Sequence, residues 1–225
     1  MRVAQICPYA WSAHGGVQAH VRHLSRHLVA RGHEVLVLAP DDAGGQPGVG
    51  APACAPACAS GSRPRLRLVG PCVRVRFNGS VVPICVRPSA FRVLRRALHE
   101  FQPDVVHVHE PLAPMLSLLA SWRLGAPLVG TFHAHYPLSI DALLYGAAMR
   151  CVRPVSRRLS MRRAVSRAAA ESVAPLGGVP LRIVPNGVDV ASFASAQPRP
   201  LPPGRRLLTV SRLEPRKGFT VLLSA

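Results

Sequence analysis

A single lysine stands in a chain that otherwise uses arginine for its basic side chains. The sequence has 28 lysine and arginine residues, and only Lys217 is lysine. Lysine offers a point charge on a flexible stem and arginine a planar fork, so the two suit different phosphate geometries. Lys217 lies in a loop between an apolar run at 207–210, which predicts a strand, and a predicted helix. These features favour a phosphate-bearing substrate. The alternative is that Lys217 is present by chance in a sequence biased toward arginine.

A glycine pair joins the first predicted strand to the first predicted helix. Gly15 and Gly16 permit close backbone approach, and the N-terminus of the helix offers unpaired N–H groups to an anion. An ordinary turn is the alternative. The segment lacks the third glycine of the dinucleotide-binding fingerprint and no acid ends the second strand, so an oxidoreductase is disfavoured.

Four histidines alternate along two predicted strands. His107 and His109 share one strand face, and His133 and His135 share another. If the strands are neighbours, these imidazoles gather near the carboxyl ends, where open α/β sheets bind ligands. Because Glu110 is the only acid nearby in sequence, we favour an acid/base or backbone-aligning role for His133 over a metal centre, and we expect no metal site.

Two predicted helices carry basic or titratable faces. His20, His23 and His27 share roughly one face of the first helix, which we expect to be solvated. Residues 88–101 form a basic amphipathic helix, which can lie on an anionic membrane. The alternative is an ordinary surface helix in an arginine-biased protein. Its basic side includes Arg92, Arg95 and Arg96.

Strand and helix periodicities alternate along most of the chain, which predicts a doubly wound α/β domain with a Rossmann-like parallel sheet. We expect this domain at 1–190, a proline-rich linker at 191–205, and only the first strand and loop of a second domain at 206–225. Residues 41–62 predict a loose loop; Cys54 and Cys58 within it fit low-complexity repetition better than a zinc pair. The predicted strands are 3–7, 35–38, 105–108, 128–132, 164–165 and 183–184, and the predicted helices include 89–101 and 112–123.

Composition narrows the classes of partner. The formal net charge of +18 points to anionic partners, while an aromatic content of 5% disfavours stacking platforms for single-stranded nucleic acid. No apolar run reaches the length of a spanning helix, and the N-terminus does not resemble a signal peptide. We therefore expect a cytoplasmic enzyme or binding protein with an anionic ligand and no nucleic acid partner.

Several motifs, in their order and spacing, resemble one family. They are Cys7-Pro8-Tyr9, Gly15-Gly16-Val17-Gln18, Gly32-His33-Glu34-Val35, residues 104–111 (DVVHVHEP), Thr131-Phe132-His133, residues 185–189 (PNGVD) and residues 214–218 (EPRKG). Together they resemble the retaining GT-B glycosyltransferases of family 4, and within that family they are most similar to the actinobacterial phosphatidylinositol mannosyltransferases. The resemblance runs along the whole chain except the loop at 41–62.

The resemblance implies two Rossmann-like domains that face a cleft. It places Gly16 against the donor diphosphate and His133 near the transferred sugar. Arg212 and Lys217 match the pair that neutralises the diphosphate leaving group, where positive charge stabilises the departing nucleotide. It also assigns an acceptor-binding turn to Asn78, Gly79 and Ser80, and membrane docking to Arg92, Arg95 and Arg96.

The implied reaction is the transfer of a sugar, with mannose expected, from a nucleotide-sugar to a lipid acceptor such as phosphatidylinositol, with retention of configuration. GDP-mannose is the expected donor and no cofactor is obligatory. The implied location is cytoplasmic, at the inner face of the plasma membrane. Because the family's donor-binding domain is missing from the sequence, we expect the chain by itself to be inactive. The alternative is a non-catalytic basic module that binds anionic membrane or nucleic acid.

Overall fold

Nine strands and seven helices lie within the described part of the computed structural model, which covers residues 1–41, 63–77, 80–123, 125–135, 142–195, 197, 204, 207–211 and 217–224. The strands are β1 (Arg2–Ile6), β2 (Glu34–Asp41), β3 (Arg65–Pro71), β4 (Val73–Phe77), β5 (Ser80–Ile84), β6 (Val105–His109), β7 (Leu128–Phe132), β8 (Met161–Ala164) and β9 (Leu181–Ile183). The helices are α1 (Gly16–Ala30), α2 (Pro88–Phe101), α3 (Leu116–Arg123), α4 (Ala142–Arg158), α5 (Arg167–Val173), α6 (Val190–Ala194) and α7 (Phe219–Ser224).

Seven strands form one parallel sheet in the order β3-β2-β1-β6-β7-β8-β9. Strands added after β1 extend the sheet first to one side and then, from β6 onward, to the other. This order confirms the predicted doubly wound, Rossmann-like α/β fold. The reversal between β1 and β6 opens a crevice at the carboxyl ends of these strands, where such sheets bind ligands.

The two faces of the sheet differ in polarity. Helix α2 begins with Pro88, which is well suited to the first helical position, and buries Leu94, Leu98 and Phe101 in the larger hydrophobic cluster. On the opposite face, α1 contributes Val21 and Val29 to a smaller cluster. The smaller cluster leaves room on the α1 face for buried polar side chains.

Several predicted boundaries need correction. Strand β8 ends at Ala164, so the predicted strand at 164–165 lay too far along the chain. Helix α3 begins at Leu116 rather than at residue 112, because Glu110 and Met115 adopt left-handed φ angles of 49° and 63° that interrupt a helix. Strand β3 and the antiparallel hairpin of β4 and β5 were not predicted from the sequence.

The predicted strand at 207–210 is wrong. Residues 207–211 are described without strand structure, and Leu207 and Leu208 are 89% and 90% exposed. An apolar run forms a stable strand only when it pairs with a neighbour and buries one face, and neither condition holds here. Helix α6 lies at the start of the predicted linker. Among the described residues, no helix has the length and apolar character required to cross a membrane.

Candidate functional site

A row of polar side chains crosses the α1 face of the sheet near its carboxyl edge. Parallel register aligns Gln5 of β1 with His107 of β6, and aligns His109 of β6 with Thr131 of β7. Thr131 is in turn aligned with Arg163 of β8. Since side chains alternate along a strand, all five lie on the same face. The sheet therefore places a polar strip between its own backbone and α1.

The strip contains a continuous chain of buried hydrogen bonds. The Gln5 side-chain amide donates to Oγ of Ser25 on α1 at 2.9 Å. Oε1 of Gln5 lies 3.0 Å from Nε2 of His109, and Nδ1 of His109 lies 3.0 Å from Nε2 of His133. His107 is bonded separately to Oγ1 of Thr131 at 2.7 Å. The chain ties the loop after β7 to α1 through two strands.

Two imidazole nitrogen atoms of the cluster are buried without a hydrogen-bond partner among the described residues: Nε2 of His20 and Nδ1 of His133. Leaving a buried polar atom unsatisfied costs about 1–3 kcal/mol. Native structures contain few such atoms, and those that occur commonly mark a functional site or a ligand. The two orphaned nitrogens therefore favour a binding role for this histidine cluster.

Burial keeps the cluster uncharged. Desolvation, assisted by the positive charge of Arg163, lowers the pKa of His107 to about 3 and that of His20 to about 4. Desolvation, followed by the fields of His20 and Arg163, lowers the pKa of His133 to about 3. The pKa of His109 also lies well below its ordinary value, with burial as the main cause. At neutral pH these imidazoles are hydrogen-bonding groups rather than cations.

Glu110 fixes the backbone of the loop that carries His133. Its buried carboxylate accepts hydrogen bonds from the backbone N–H of His133 and, at 2.6 Å, from that of Ala134. The backbone N–H of Glu110 donates to the carbonyl of Thr131 at 2.8 Å. From the sequence, Glu110 was considered only as the one acid near a possible metal centre, whereas the structure shows it holding the His133 loop.

The histidine cluster differs in membership from the predicted one. Strand β7 ends at Phe132, so the alternation does not continue to His135, whose exposed ring turns away and bonds to Ser172 Oγ at 2.8 Å. His20 takes its place: it is 8% exposed, and its ring centroid lies 5.3 Å from that of His133. The prediction of a solvated histidine face on α1 is therefore wrong for His20, although His23 and His27 are exposed.

One group within the described residues has the spacing of metal ligands. His20, His109 and His133 each offer a nitrogen atom, and these atoms lie within 4.8 Å of one another. However, the direct bond between His109 and His133 requires a shared proton, which a metal ion would have to displace. The positive field of Arg163, which lowers three of these pKa values, also opposes a cation. The geometry favours a hydrogen-bonded array.

Gly16 begins α1 at the carboxyl edge, and the space around its Cα is open. A Cβ atom at Gly16 would meet no atom within 4 Å, whereas one at Gly15 would lie 2.5 Å from Oε1 of Gln18. Packing among the described residues therefore does not require glycine at position 16. An open backbone at a helix N-terminus suits close approach by an anionic group.

A cavity of about 730 Å³ runs beside α1 and next to the cluster. It shares His20 with the cluster, and Arg163 also lines it. Its opposite wall is formed by residues 184–185 and 187–190, after β9. The histidine cluster therefore borders an open groove that runs along α1.

The remaining predicted site residues are not brought to the cluster by the described structure. Lys217 is described and exposed, while Arg212 lies outside the described residues. Asn78 and Gly79 also lie outside them; the flanking residues Phe77 and Ser80 are paired across the β4–β5 hairpin. No contact therefore tests the expected diphosphate pair or acceptor turn.

The basic side of α2 is exposed, but its apolar side is not available to lipid. Arg92, Arg95 and Arg96 are exposed, and Arg96 donates to Glu100 at 2.8 Å. The apolar residues of the helix pack into the core of the domain. Contact between α2 and a membrane would thus be electrostatic, without insertion of the apolar face.

Comparison with known proteins identifies the family. Residues 14–192 match the family model described as Glycosyltransferase Family 4. Over 100% of its length the chain is 38% identical to a phosphatidyl-myo-inositol mannosyltransferase of Mycolicibacterium smegmatis and covers 54% of that protein. It is 37% identical to the Mycobacterium tuberculosis protein of the same name, again over 100% of the chain and 56% of the relative. The chain belongs to Glycosyltransferase Family 4.

Solved structures agree with the fold. A sucrose-phosphate synthase from Thermosynechococcus elongatus superposes with a TM-score of 0.55 at 13% identity, covering 84% of this chain and 49% of that one. Anabaena HepE in complex with UDP-glucose superposes with a TM-score of 0.52 at 16% identity, covering 85% and 45%. The chain spans about half the length of the curated relatives it matches.

Proposed function

We propose that this chain forms the acceptor-side domain of a retaining mannosyltransferase that transfers mannose from GDP-mannose to phosphatidylinositol or a similar anionic lipid. The proposal rests on three features of the α1 face of the sheet. These are the open N-terminus of α1 at Gly16, the orphaned Nδ1 of His133, and a cavity along α1 that reaches the histidine cluster at His20. The full-length similarity to phosphatidyl-myo-inositol mannosyltransferases supports the choice of reaction.

Each feature fits one part of this reaction. A diphosphate is a dianion that backbone N–H groups at a helix N-terminus can bind, and Gly16 leaves the approach open. A neutral imidazole at His133 can hydrogen-bond to a sugar hydroxyl without adding positive charge beside the developing oxocarbenium-like sugar. The charge on the leaving diphosphate would be stabilised by Arg212 and Lys217. No metal or cofactor is required in this scheme.

The acceptor is proposed to approach from the β4–β5 hairpin, with Asn78, Gly79 and Ser80 facing its polar headgroup. The exposed arginines of α2 would attract the anionic surface that contains the lipid. We therefore propose peripheral association with the cytoplasmic face of the plasma membrane, driven by charge.

Because the chain spans about half the length of its relatives, we propose that turnover needs residues equivalent to their remaining half. The test is a protein in which this chain is continued by the second half of a curated relative. Radiolabelled mannose should pass from GDP-mannose to extracted phosphatidylinositol, and cleavage of the product by an α-specific mannosidase should report retention. The 225-residue chain assayed alone should give no product.

Matched variants make this assay specific. His133→Ala should abolish transfer, whereas His135→Ala should leave it nearly unchanged, because the His135 ring faces α5 rather than the cluster. UDP-glucose serves as the competing donor. Transfer from UDP-glucose but not from GDP-mannose would replace the proposed donor, and equal losses in both variants would contradict the role of His133.

A further inference from the structure

The orphaned Nδ1 of His133 lies at one end of a hydrogen-bond chain whose polarity can be deduced. Ser25 accepts from the amide nitrogen of Gln5, which leaves Oε1 of Gln5 facing His109. An amide oxygen can only accept a hydrogen bond, so Nε2 of His109 must carry a proton. Burial keeps the His109 ring neutral, so its other nitrogen, Nδ1, is unprotonated and must accept.

The same reasoning passes to the next ring. Nδ1 of His109 accepts at 3.0 Å from Nε2 of His133, so the proton of His133 lies on Nε2. A neutral His133 then has a lone pair on Nδ1, which is the buried atom without a partner among the described residues. An atom in this state can accept a hydrogen bond but cannot donate one.

We propose that Gln5 and His109 are positioning residues that hold His133 in its Nε2-protonated tautomer and so present Nδ1 as an acceptor for a ligand hydroxyl. The hydroxyl class rests on the proposed function, since a sugar or an inositol supplies hydroxyl donors. The tautomer itself rests on the contacts and burial of this chain's own residues. Second partners commonly fix the tautomer of a functional histidine in this way.

The chain of bonds is rigid at each link. Gln5, Ser25 and His109 are 0%, 1% and 0% exposed, so water does not compete for their hydrogen bonds. The Glu110 carboxylate separately holds the backbone N–H of His133, so backbone and ring are fixed by different residues. If the Gln5 amide were turned by 180°, the ring protons of His109 and His133 would move to the opposite ring nitrogens. The orientation of Gln5 therefore decides which nitrogens are protonated.

The first test measures tautomers in this chain directly. Long-range proton–nitrogen spectra of the protein labelled with ¹⁵N-histidine distinguish a protonated from an unprotonated ring nitrogen. At pH 7.5 we expect Nε2–H and a bare Nδ1 in both His109 and His133, with signals assigned from single histidine variants. A proton on Nδ1 of His133 in the unaltered protein would overturn the proposal without reference to any variant.

Two substitutions of Gln5 test its role. Gln5→Met removes the acceptor at similar volume and should release the tautomer preference, giving mixed Nδ1–H and Nε2–H signals at His109 and His133. Gln5→Glu retains an oxygen acceptor and should preserve the original pattern. His23 and His27 are exposed and serve as internal references whose signals should not move. An unchanged pattern in Gln5→Met would also overturn the proposal.

The functional readout uses the complete protein described above. Gln5→Met should lower kcat by about 10²-fold with little change in the KM for lipid, as expected when a reacting group is misplaced, and Gln5→Glu should restore most of it. If the unaltered complete protein transfers no sugar, the proposed function fails while the tautomer result stands. If the unaltered complete protein is active and Gln5→Met has the same kcat, the positioning role of Gln5 is wrong.

Discussion

The carboxylate of Glu110 accepts a hydrogen bond from the backbone N–H of His133, and so ties the end of β6 to the loop after β7. Glu110 holds this contact with a left-handed φ of 49°, an uncommon angle for a side chain larger than glycine or asparagine. Backbone strain of this kind persists where surrounding contacts enforce it, and it is frequent at functional sites.

Glu110→Ala should therefore destabilise the domain. The substitution leaves the N–H groups of His133 and Ala134 without their acceptor, and loss of two bonds to a buried charged group should cost roughly 3 kcal/mol. Urea denaturation measures the difference. Glu110→Gln keeps an oxygen acceptor, so its free energy of unfolding should fall by less than half as much. An equal decrease in both variants would show that the charge, rather than the acceptor atom, determines stability.

The fold could be predicted from the sequence because its strands are continuous apolar runs separated by helical periodicity. Strand β7 was predicted with its observed bounds, and α2 to within one residue. The hairpin of β4 and β5 was missed although β4 alternates valine with arginine, the period-two pattern typical of a half-buried strand.

The site was only partly predictable. His107, His109 and His133 were recognised as one cluster because alternation along a strand predicts a common face. Gln5 and His20 were missed because their burial depends on α1 packing against the sheet, a contact without a local sequence signal. A glutamine among the buried apolar residues of β1 was the available clue, since a buried amide requires partners.

Stability should fall as the solution becomes acidic. Unfolded histidines have a pKa near 6.5, whereas folded His107 and His133 have pKa values of about 3. Between these values the unfolded chain binds protons that the folded chain does not, so the stabilisation is complete above pH 6.5 and is lost progressively below it. The slope should approach about 1.4 kcal/mol per pH unit for each buried histidine.

Urea denaturation between pH 4.5 and pH 8 checks this slope. His107→Gln should reduce the slope by about 1.4 kcal/mol per pH unit, the contribution of one buried histidine. A flat stability profile below pH 6.5 would contradict the neutral state of the cluster.

Gly16→Ala should separate folding from ligand binding. A Cβ at this position meets no atom within 4 Å, and alanine favours helix more than glycine by up to about 1 kcal/mol, so the melting temperature should hold or rise. If a diphosphate approaches this backbone, the same methyl group should raise the KM for donor in the complete protein. An unchanged KM for the donor would show that Gly16 does not lie at the donor site.

Charge on α2 should control binding to anionic vesicles. Replacing Arg92, Arg95 and Arg96 with serine should weaken binding by a few kcal/mol at low salt, since each charge near the surface contributes about 1 kcal/mol. Because the apolar face of α2 is buried, binding by the unaltered protein should also disappear at high salt.

A control variant removes the same amount of charge from another helix. It replaces Arg150, Arg153 and Arg157, exposed residues of α4, with serine. Equal weakening by both triple variants, measured by co-sedimentation, would show that net charge alone is responsible.

Lys217 offers the sharpest test of leaving-group stabilisation. In the complete protein its ammonium should stabilise charge that develops on the departing diphosphate, an interaction that strengthens in the transition state. Lys217→Ala should then lower kcat by about 10²-fold or more, with a smaller effect on KM. Lys217→Arg keeps the charge but replaces the point ammonium with a planar fork, and we expect a large loss in kcat here too. Steady-state kinetics with GDP-mannose decide the matter: if arginine serves as well as lysine, the single lysine of this chain reflects its composition rather than a geometric requirement.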